Sequence, residues 1–208
     1  VAHLPFRRWC IQCMQWRGNN LPHSEAPAAE DGLAVPVVAL DFYFVGQPDT
    51  PDIATALAAR DKGSKALFSR ILPTRATLET AWAAQQIVQD LEWLGHKKCI
   101  LKADQEPAMT ALLNKIVSLR EHPTILERSP VGESQANGLA ERAVQAAEGQ
   151  LRVMKLALEQ RLQGDMPPKH PVVAWLTQHA ADMVTKLHRR SDGRTSYELV
   201  KGKPYRHE

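Results

Sequence analysis

Asp41 stands in the middle of the apolar run VPVVALDFYFV, a stretch too rich in valine and aromatic side chains to be a surface loop. A strand of this composition is buried on at least one face. A lone carboxylate there loses on the order of several kcal/mol to desolvation. The position therefore demands a compensating partner, a metal ion, or a strand edge open to a cleft, and any fold of this chain has to supply one of them.

Two further acids stand where they can do so. Ile100 and Leu101 belong to a short apolar strand, KCILKAD, so Asp104 falls where that strand releases the chain towards a helix. Glu141 opens a later helix. Between them Ser129, Pro130, Gly132, Ser134, Asn137 and Gly138 predict a turn-rich, mobile loop, with Asn137-Gly138 as its last punctuation before the helix. Three carboxylates arriving from two strands and a helix make an all-oxygen site of the kind magnesium or manganese prefers.

In these residues the chain resembles the catalytic core of retrovirus and retrotransposon integrases. The resemblance is carried by Asp41, Asp104 and Glu141, with Ser134-Gln135-Ala136-Asn137-Gly138 and Ala140-Glu141-Arg142 around the last. In that family roughly 35 residues lie between the second Asp and the Glu, a motif that counts only in its strand, loop and helix context; here 36 lie between Asp104 and Glu141. Two departures stand out. The family's Asp-Asn-Gly at the second acid is Asp104-Gln105-Glu106, and the proline of its loop is replaced by Glu133 or Ser134. The tail SDGRTSYELVKGKPYRHE also resembles the Thr-Pro-Tyr-Glu-x-x-x-Gly-Lys-x-Pro segment of copia-like and related integrases, with Ser196 in place of the proline.

The resemblance implies a polynucleotidyl transferase that processes DNA ends and joins them to a target. Asp41, Asp104 and Glu141 would be its catalytic residues, as ligands of two Mg2+ or Mn2+ ions, with Asp41 bridging the pair. It implies DNA contacts from Gln135, Asn137, Arg142, Arg152 and Lys155, a homo-oligomer, and residence in the nucleus or a cytoplasmic virus-like particle. For Arg152 and Lys155 an ordinary solvated face with intrahelical ion pairs reads equally well. Two other function classes stay open: a catalytically decayed, nucleic-acid-binding descendant, invited by Gln105, Glu106 and Glu148, and a ribonuclease H-like nuclease that cuts without joining.

Ahead of the core, residues 1–25 carry Cys10-x-x-Cys13 with His3 upstream and His23 downstream. That spacing suits two ligands of a tetrahedral zinc ion, and it is equally the spacing of a redox pair. The resemblance implies the first choice, with His3, Cys10 and Cys13 as the last three ligands of a His-His-Cys-Cys module whose first histidine would precede residue 1. His23 reads as a loop residue. Arg7, Arg8 and Arg17 interrupt this segment, which therefore does not read as a secretory signal. Residues 26–35 complete a Gly-, Pro- and Ala-rich linker, 36–165 form the core, and 166–208 supply a further helix and a basic tail.

Within the core the first strand is followed by two runs around the turn Asp61-Lys62-Gly63-Ser64, a natural hairpin. Leu78, Ala81, Ile87, Leu91 and Leu94 then recur at helical spacing to a stop at Gly95. After the strand KCILKAD, Pro107 opens a helix whose apolar positions are Met109, Leu112, Leu113, Ile116 and Leu119, and TILERS is a fifth strand. A long helix over 136–162 presents Leu139, Ala143, Ala147, Leu151, Met154, Leu158 and Leu162 on one face. Cys99, in front of the apolar strand, reads as a core residue. In the last helix Val173, Leu176, Ala180, Met183, Val184 and Leu187 point inward and Trp175 packs beside them. The order predicts an α/β fold with a mixed sheet. The resemblance makes it ribonuclease H-like, five-stranded and flanked by helices, with a small zinc-module remnant before it and a basic C-terminal extension after it.

A net charge of +3 permits a nucleic-acid partner without requiring one. No apolar run approaches the roughly eighteen residues of a membrane helix. Lys186, Arg189, Arg190, Arg194, Lys201, Lys203 and Arg206 concentrate positive charge at the C-terminal end, where they suit phosphate contacts or a solvated terminus alike.

Overall fold

A computed structural model of the chain describes residues 9–13, 35–46, 52–72, 77–128 and 134–206. After a short helical stretch at 11–13 come three strands, β1 (Val37–Val45), β2 (Ala54–Asp61) and β3 (Leu67–Ile71). Then helices and strands alternate through α1 (Thr77–Trp93), β4 (Cys99–Ala103), α2 (Pro107–Leu119) and β5 (Thr124–Arg128). The chain ends in α3 (Ser134–Leu162), α4 (Pro171–Leu187) and the short α5 (Ser196–Lys201). The strands form one mixed sheet in the order β3-β2-β1-β4-β5. The first three are antiparallel, as the hairpin turn after Asp61 requires, while β4 joins β1 and β5 joins β4 in parallel.

Alternation along β1 decides what the sheet positions. Val38 and Leu40 belong to one hydrophobic cluster with Leu57, Ala59, Ile87, Leu91, Leu101, Met109 and Leu113, so this face is covered by α1 and α2. Tyr43 and Val45 belong to the other cluster, with Ala56, Ala58, Ala143, Ala147, Leu151, Val173 and Leu176, so this face is covered by α3 and α4. Successive side chains leave a strand on opposite faces. Asp41 shares its parity with Tyr43 and therefore lies under α3. Its cross-strand partner is Ala58, too small to fill the space above it.

Helix α3 approaches the sheet closely because Ala140, Ala143 and Ala147 form its buried stripe ahead of Leu151. The apolar periodicity predicted for this helix is corrected at its far end, where Leu162 is 63% exposed. Gln150 and Val153 are instead fully buried, on a row that Gln160 continues, and Gln160 accepts a hydrogen bond from Gln12 of the N-terminal segment at 2.7 Å. The helix also begins at Ser134, so Asn137-Gly138 lie within it rather than in a loop before it. Asparagine and glycine each cost a helix no more than about 1 kcal/mol, which a long helix absorbs once nucleated. Trp175 is corrected too: it is 60% exposed and stacks on His179 at 4.6 Å between centroids instead of packing inward. In α1, Ala83 and Ala84 join Ile87 and Leu91 in the core where periodicity favoured Ala81.

Polar ties fasten the layers. Arg70 of β3 and Asp90 of α1 form a buried bidentate pair with both bonds at 2.5 Å. The Thr185 hydroxyl of α4 donates to Leu67 O at 2.9 Å and accepts from Leu67 N at 2.8 Å, taking the place of a strand partner on the outer edge of β3. Asp61, buried at the β2–β3 turn, accepts from the Ser64 backbone N and hydroxyl and from His96 Nε2 at 2.9 Å. The C-terminal segment folds back over α1. A capping box of Thr195 and Glu198 starts α5, Tyr197 packs against Trp93, and Lys201 lies over the Trp93 ring at 4.3 Å while donating to its carbonyl. Among the described residues no helix is long and apolar enough to cross a membrane.

Two stability predictions follow from these ties. Asp90→Ala strands a buried guanidinium and should cost about 3–5 kcal/mol in urea unfolding, whereas Arg70→Met combined with Asp90→Leu should cost far less, because no charge is left unpaired. Burial alone would raise the Asp61 carboxyl, but its hydrogen bonds from His96 and Ser64 outweigh that and hold it below 3.8. Its stabilisation is thus present above the unfolded value and lost as pH falls through the folded one. The gap in Tm between native protein and Asp61→Asn, open at pH 6, should close below pH 3.8.

Candidate active site

The parallel pairing of β1 with β4 runs Val37↔Ile100, Val38↔Leu101 and Ala39↔Lys102. Carried two residues further, the same offset sets Asp104 beside Asp41. Asp104 is the first residue past the end of β4, and its Oδ1 accepts from the Glu106 backbone N at 3.2 Å, closing the turn into α2. Pro107 then begins the helix, its missing N–H costing nothing at that position. The turn therefore holds the second acid where the strand delivers it.

The third acid comes from the opposite layer. Arg60 of β2, opposite Ala39, donates from Nη1 to the Arg142 carbonyl at 3.2 Å and ties the first turns of α3 to the sheet one strand away from Asp41. Ala140 and Ala143 face the protein on either side of Glu141, which is exposed.

The Asp41 carboxyl registers this convergence directly. Burial is the main cause that raises it from 3.8 to about 6, and repulsion by Asp104 is the next; a hydrogen bond from the Phe42 backbone opposes them, and Glu106 and Glu141 add further repulsion. All three sequence-predicted carboxylates thus share one electrostatic neighbourhood. Glu106 belongs to it as well. In the sequence it stands out only as a departure from Asp-Asn-Gly; the signal that finds it is a second carboxylate two residues past Asp104, across the turn into α2.

The donor set is right in kind for a hard divalent cation, since every donor is a carboxylate oxygen and their mutual repulsion is relieved by positive charge. The side chains are not drawn up around one point: among the described residues no three His, Cys, Asp or Glu side chains are grouped to hold a metal ion. Asp41 and Asp104 are fixed by strand and turn, and Glu141 is the exposed member.

The residues expected to contact DNA lie along α3. Arg142 is exposed immediately after Glu141, whereas the side chains of Gln135 and Asn137 lie outside the described set. Arg152 and Lys155 line a cleft of about 430 Å³ between α3 and the end of β1, walled by Phe44, Val45, Leu151 and Leu156. There Arg152 pairs with Glu148, and Lys155 pairs with Glu159 at 2.5 Å. Of the residues expected to bind zinc, Cys10 and Cys13 are buried, and the Cys10 thiol donates to Gln12 Oε1 at 3.1 Å. His3 lies outside the described residues.

The fold has counterparts among solved structures. The HTLV-2 integrase catalytic core domain in complex with magnesium matches in its trimeric form with a TM-score of 0.56 at 14% identity, covering 79% of this chain and 95% of that one. The fold is that of an integrase catalytic core. The dimeric form of the same domain matches with a TM-score of 0.54 at 15% identity over 79% of this chain and 97% of that one. The simian T-cell lymphotropic virus intasome, solved with the PP2A regulatory subunit B56 gamma, gives a TM-score of 0.52 at 12% identity. That match covers 83% of this chain and 57% of the other. No family model and no curated protein matches the sequence. At such identities the likeness is one of fold: an integrase-core-like, ribonuclease H-like mixed sheet with flanking helices.

Within this integrase-core fold the raised Asp41 carboxyl makes a direct prediction. A folded pKa above the unfolded value gives stability that is complete below 3.8 and lost as pH rises through about 6. Asp41→Asn should therefore stabilise the metal-free protein at pH 8 by about 1 kcal/mol, less than the full linkage value because nearby water screens the repulsion, and should do nothing at pH 4. Paired denaturant titrations at the two pH values measure the difference.

Proposed function

We propose that this chain is the catalytic core of an integrase-type polynucleotidyl transferase from a retrotransposon or retrovirus-like element, acting on DNA ends with divalent cations held by Asp41, Asp104 and Glu141. The observation that carries the reading is the position of Asp41: a carboxylate on a buried face of β1, raised to about 6 by burial and by Asp104, with Glu141 on the helix above it. A fold gains nothing from such repulsion, and a cation converts it into attraction. The magnesium bound to the HTLV-2 core supports the choice of ion.

The protein's own groups divide the work. Asp41, held mid-strand, Asp104, held by the Glu106 N–H, and Glu141 would together hold the cations through their carboxylate oxygens. Two such ions, when bound, supply the Lewis acidity that activates an attacking hydroxyl and stabilises the leaving oxygen of a phosphodiester. No side-chain nucleophile is needed, and the carboxylates act as ligands rather than as general acids. Arg142, next to Glu141, is placed to meet a phosphate of the DNA end. Arg152 and Lys155 can do the same further along α3 by exchanging Glu148 and Glu159 for phosphate oxygens. Assembly into a multimer on DNA is part of the proposal, supported by the dimeric and trimeric forms of the HTLV-2 core and by the simian intasome.

A second reading, a catalytically decayed core that still binds nucleic acid, is favoured by one observation: the carboxylates are not gathered around a point. Calorimetric titration with manganese separates the two. Saturable binding should appear in the native protein and fall at least tenfold in Asp41→Asn and Glu141→Gln, with both variants retaining the native Tm within a few degrees. Equal binding by all three proteins, or none even with duplex DNA present, would remove the enzymatic reading. A product analysis for joined as well as cut strands then separates an integrase from a nuclease.

A further inference from the structure

The N-terminal ends of the parallel strands carry a second charged surface, of opposite sign to the carboxylates. Three segments meet there. The β2–β3 turn is joined to the start of β1 by Lys62 N donating to Val37 O at 2.8 Å. The α1–β4 loop is joined to that turn by His96 and Asp61. The segment after α4 is joined to it by Arg190, whose Nη1 donates to Gly63 O at 2.8 Å. The surface thus gathers Lys62, Lys97, Lys98, Arg189, Arg190 and Arg194 from segments far apart in sequence. The four residue steps of β1 from Val37 to Asp41 span about 13 Å, so these cations stand well away from the acids.

Their charge is held in place and is offset only in part, by Asp192 beside Arg190 and Arg194. Arg189 and Arg190 donate to the carbonyls of Gly193 and Gly63, which fix the guanidinium groups and leave them cationic. Lys62, Lys97 and Lys98 are exposed and form no ion pair with any described residue. Of the acids on these segments, Asp61 is buried and spent on Ser64 and His96, and Asp192 is shared between Arg190 and Arg194. Glu92 and Glu121, near the ends of α1 and α2, are the exposed acids of the neighbourhood, and they line one depression together with Arg120 and His122. Preorganised cations in excess, spread over a turn, a loop and a strap about two strand spacings apart, match a row of phosphates better than a single anion.

We propose that this face binds the phosphate backbone of a nucleic acid, as a second site distinct from the carboxylates, so that one chain can hold a nucleic-acid segment at each end of its parallel strands. The site is independent of whether the carboxylates are catalytic. Neutralising its lysines lowers both duplex affinity and the salt dependence of binding. The test is fluorescence anisotropy with a short DNA duplex of mixed sequence, in EDTA, over a range of salt concentrations. It compares native protein with Lys62→Gln/Lys97→Gln and with the equally charged control Arg161→Gln/Lys169→Gln. Loss of two phosphate contacts reduces the slope of log K against log salt by about 2 in the first variant, while the control keeps the native slope. Asp41→Asn keeps it too, which separates this proposal from the one for the carboxylates. An equal fall in both double variants, or none in either, overturns it. So does a Lys62→Gln/Lys97→Gln protein that keeps its duplex slope but loses binding to phosphatidylserine vesicles, since the face would then serve a membrane.

Discussion

Three rungs of parallel pairing, from Val37↔Ile100 to Ala39↔Lys102, join the antiparallel half of the sheet to its parallel half. The register is enforced by what lies beneath it. Val38 and Leu40 of β1, together with Cys99, Leu101 and Ala103 of β4, all enter the cluster under α1 and α2. A slip of one residue would drive Ile100 and Lys102 into that cluster. The same register brings Asp104 level with Asp41. The packing of one face thus fixes the geometry of the acids on the other, and no contact between the carboxylates has to be favourable for them to meet.

The elements were legible in the sequence wherever a single physical signal dominated. Alternation and β-branched content marked β1, the Asp61–Ser64 turn marked the hairpin, and Pro107 marked the start of α2. The acids were legible because each sat where its local pattern had no need of it. What the sequence did not show depends on distant partners. Leu162 and Trp175 both follow helical periodicity, yet the surface that would bury them ends before they reach it. Gln150 breaks the apolar pattern and is buried nonetheless. The helical state of Asn137-Gly138 was hidden for a related reason. Turn propensity is local, while the persistence of a helix 29 residues long is cooperative.

The two faces of the sheet divide labour by side-chain size. Under α1 and α2 the core is built from leucine, isoleucine and methionine, with the Arg70–Asp90 pair at its margin. Under α3 the contact is made largely by alanines on both sides, Ala56 and Ala58 against Ala143 and Ala147. Small side chains let the α3 backbone come close to β1 and β2, and that closeness lets Glu141 act on the Asp41 carboxyl. It also limits apolar burial along the first half of α3. Ties such as that from Arg60 to the Arg142 carbonyl matter more there than they would over a leucine-rich contact.

The hydroxyl of Thr185 has a consequence beyond the fold. By donating to and accepting from Leu67 it closes the first position on the outer edge of β3, and α4 lies along the rest of that strand. The opposite edge, β5, packs mainly against β4 and shows Ile125 at 45% exposure. A sheet with one sealed edge can be extended in one direction alone. Two copies meeting edge to edge through β5 would use up the pairing positions of both, so strand addition ends at a closed pair and cannot run on into a fibre.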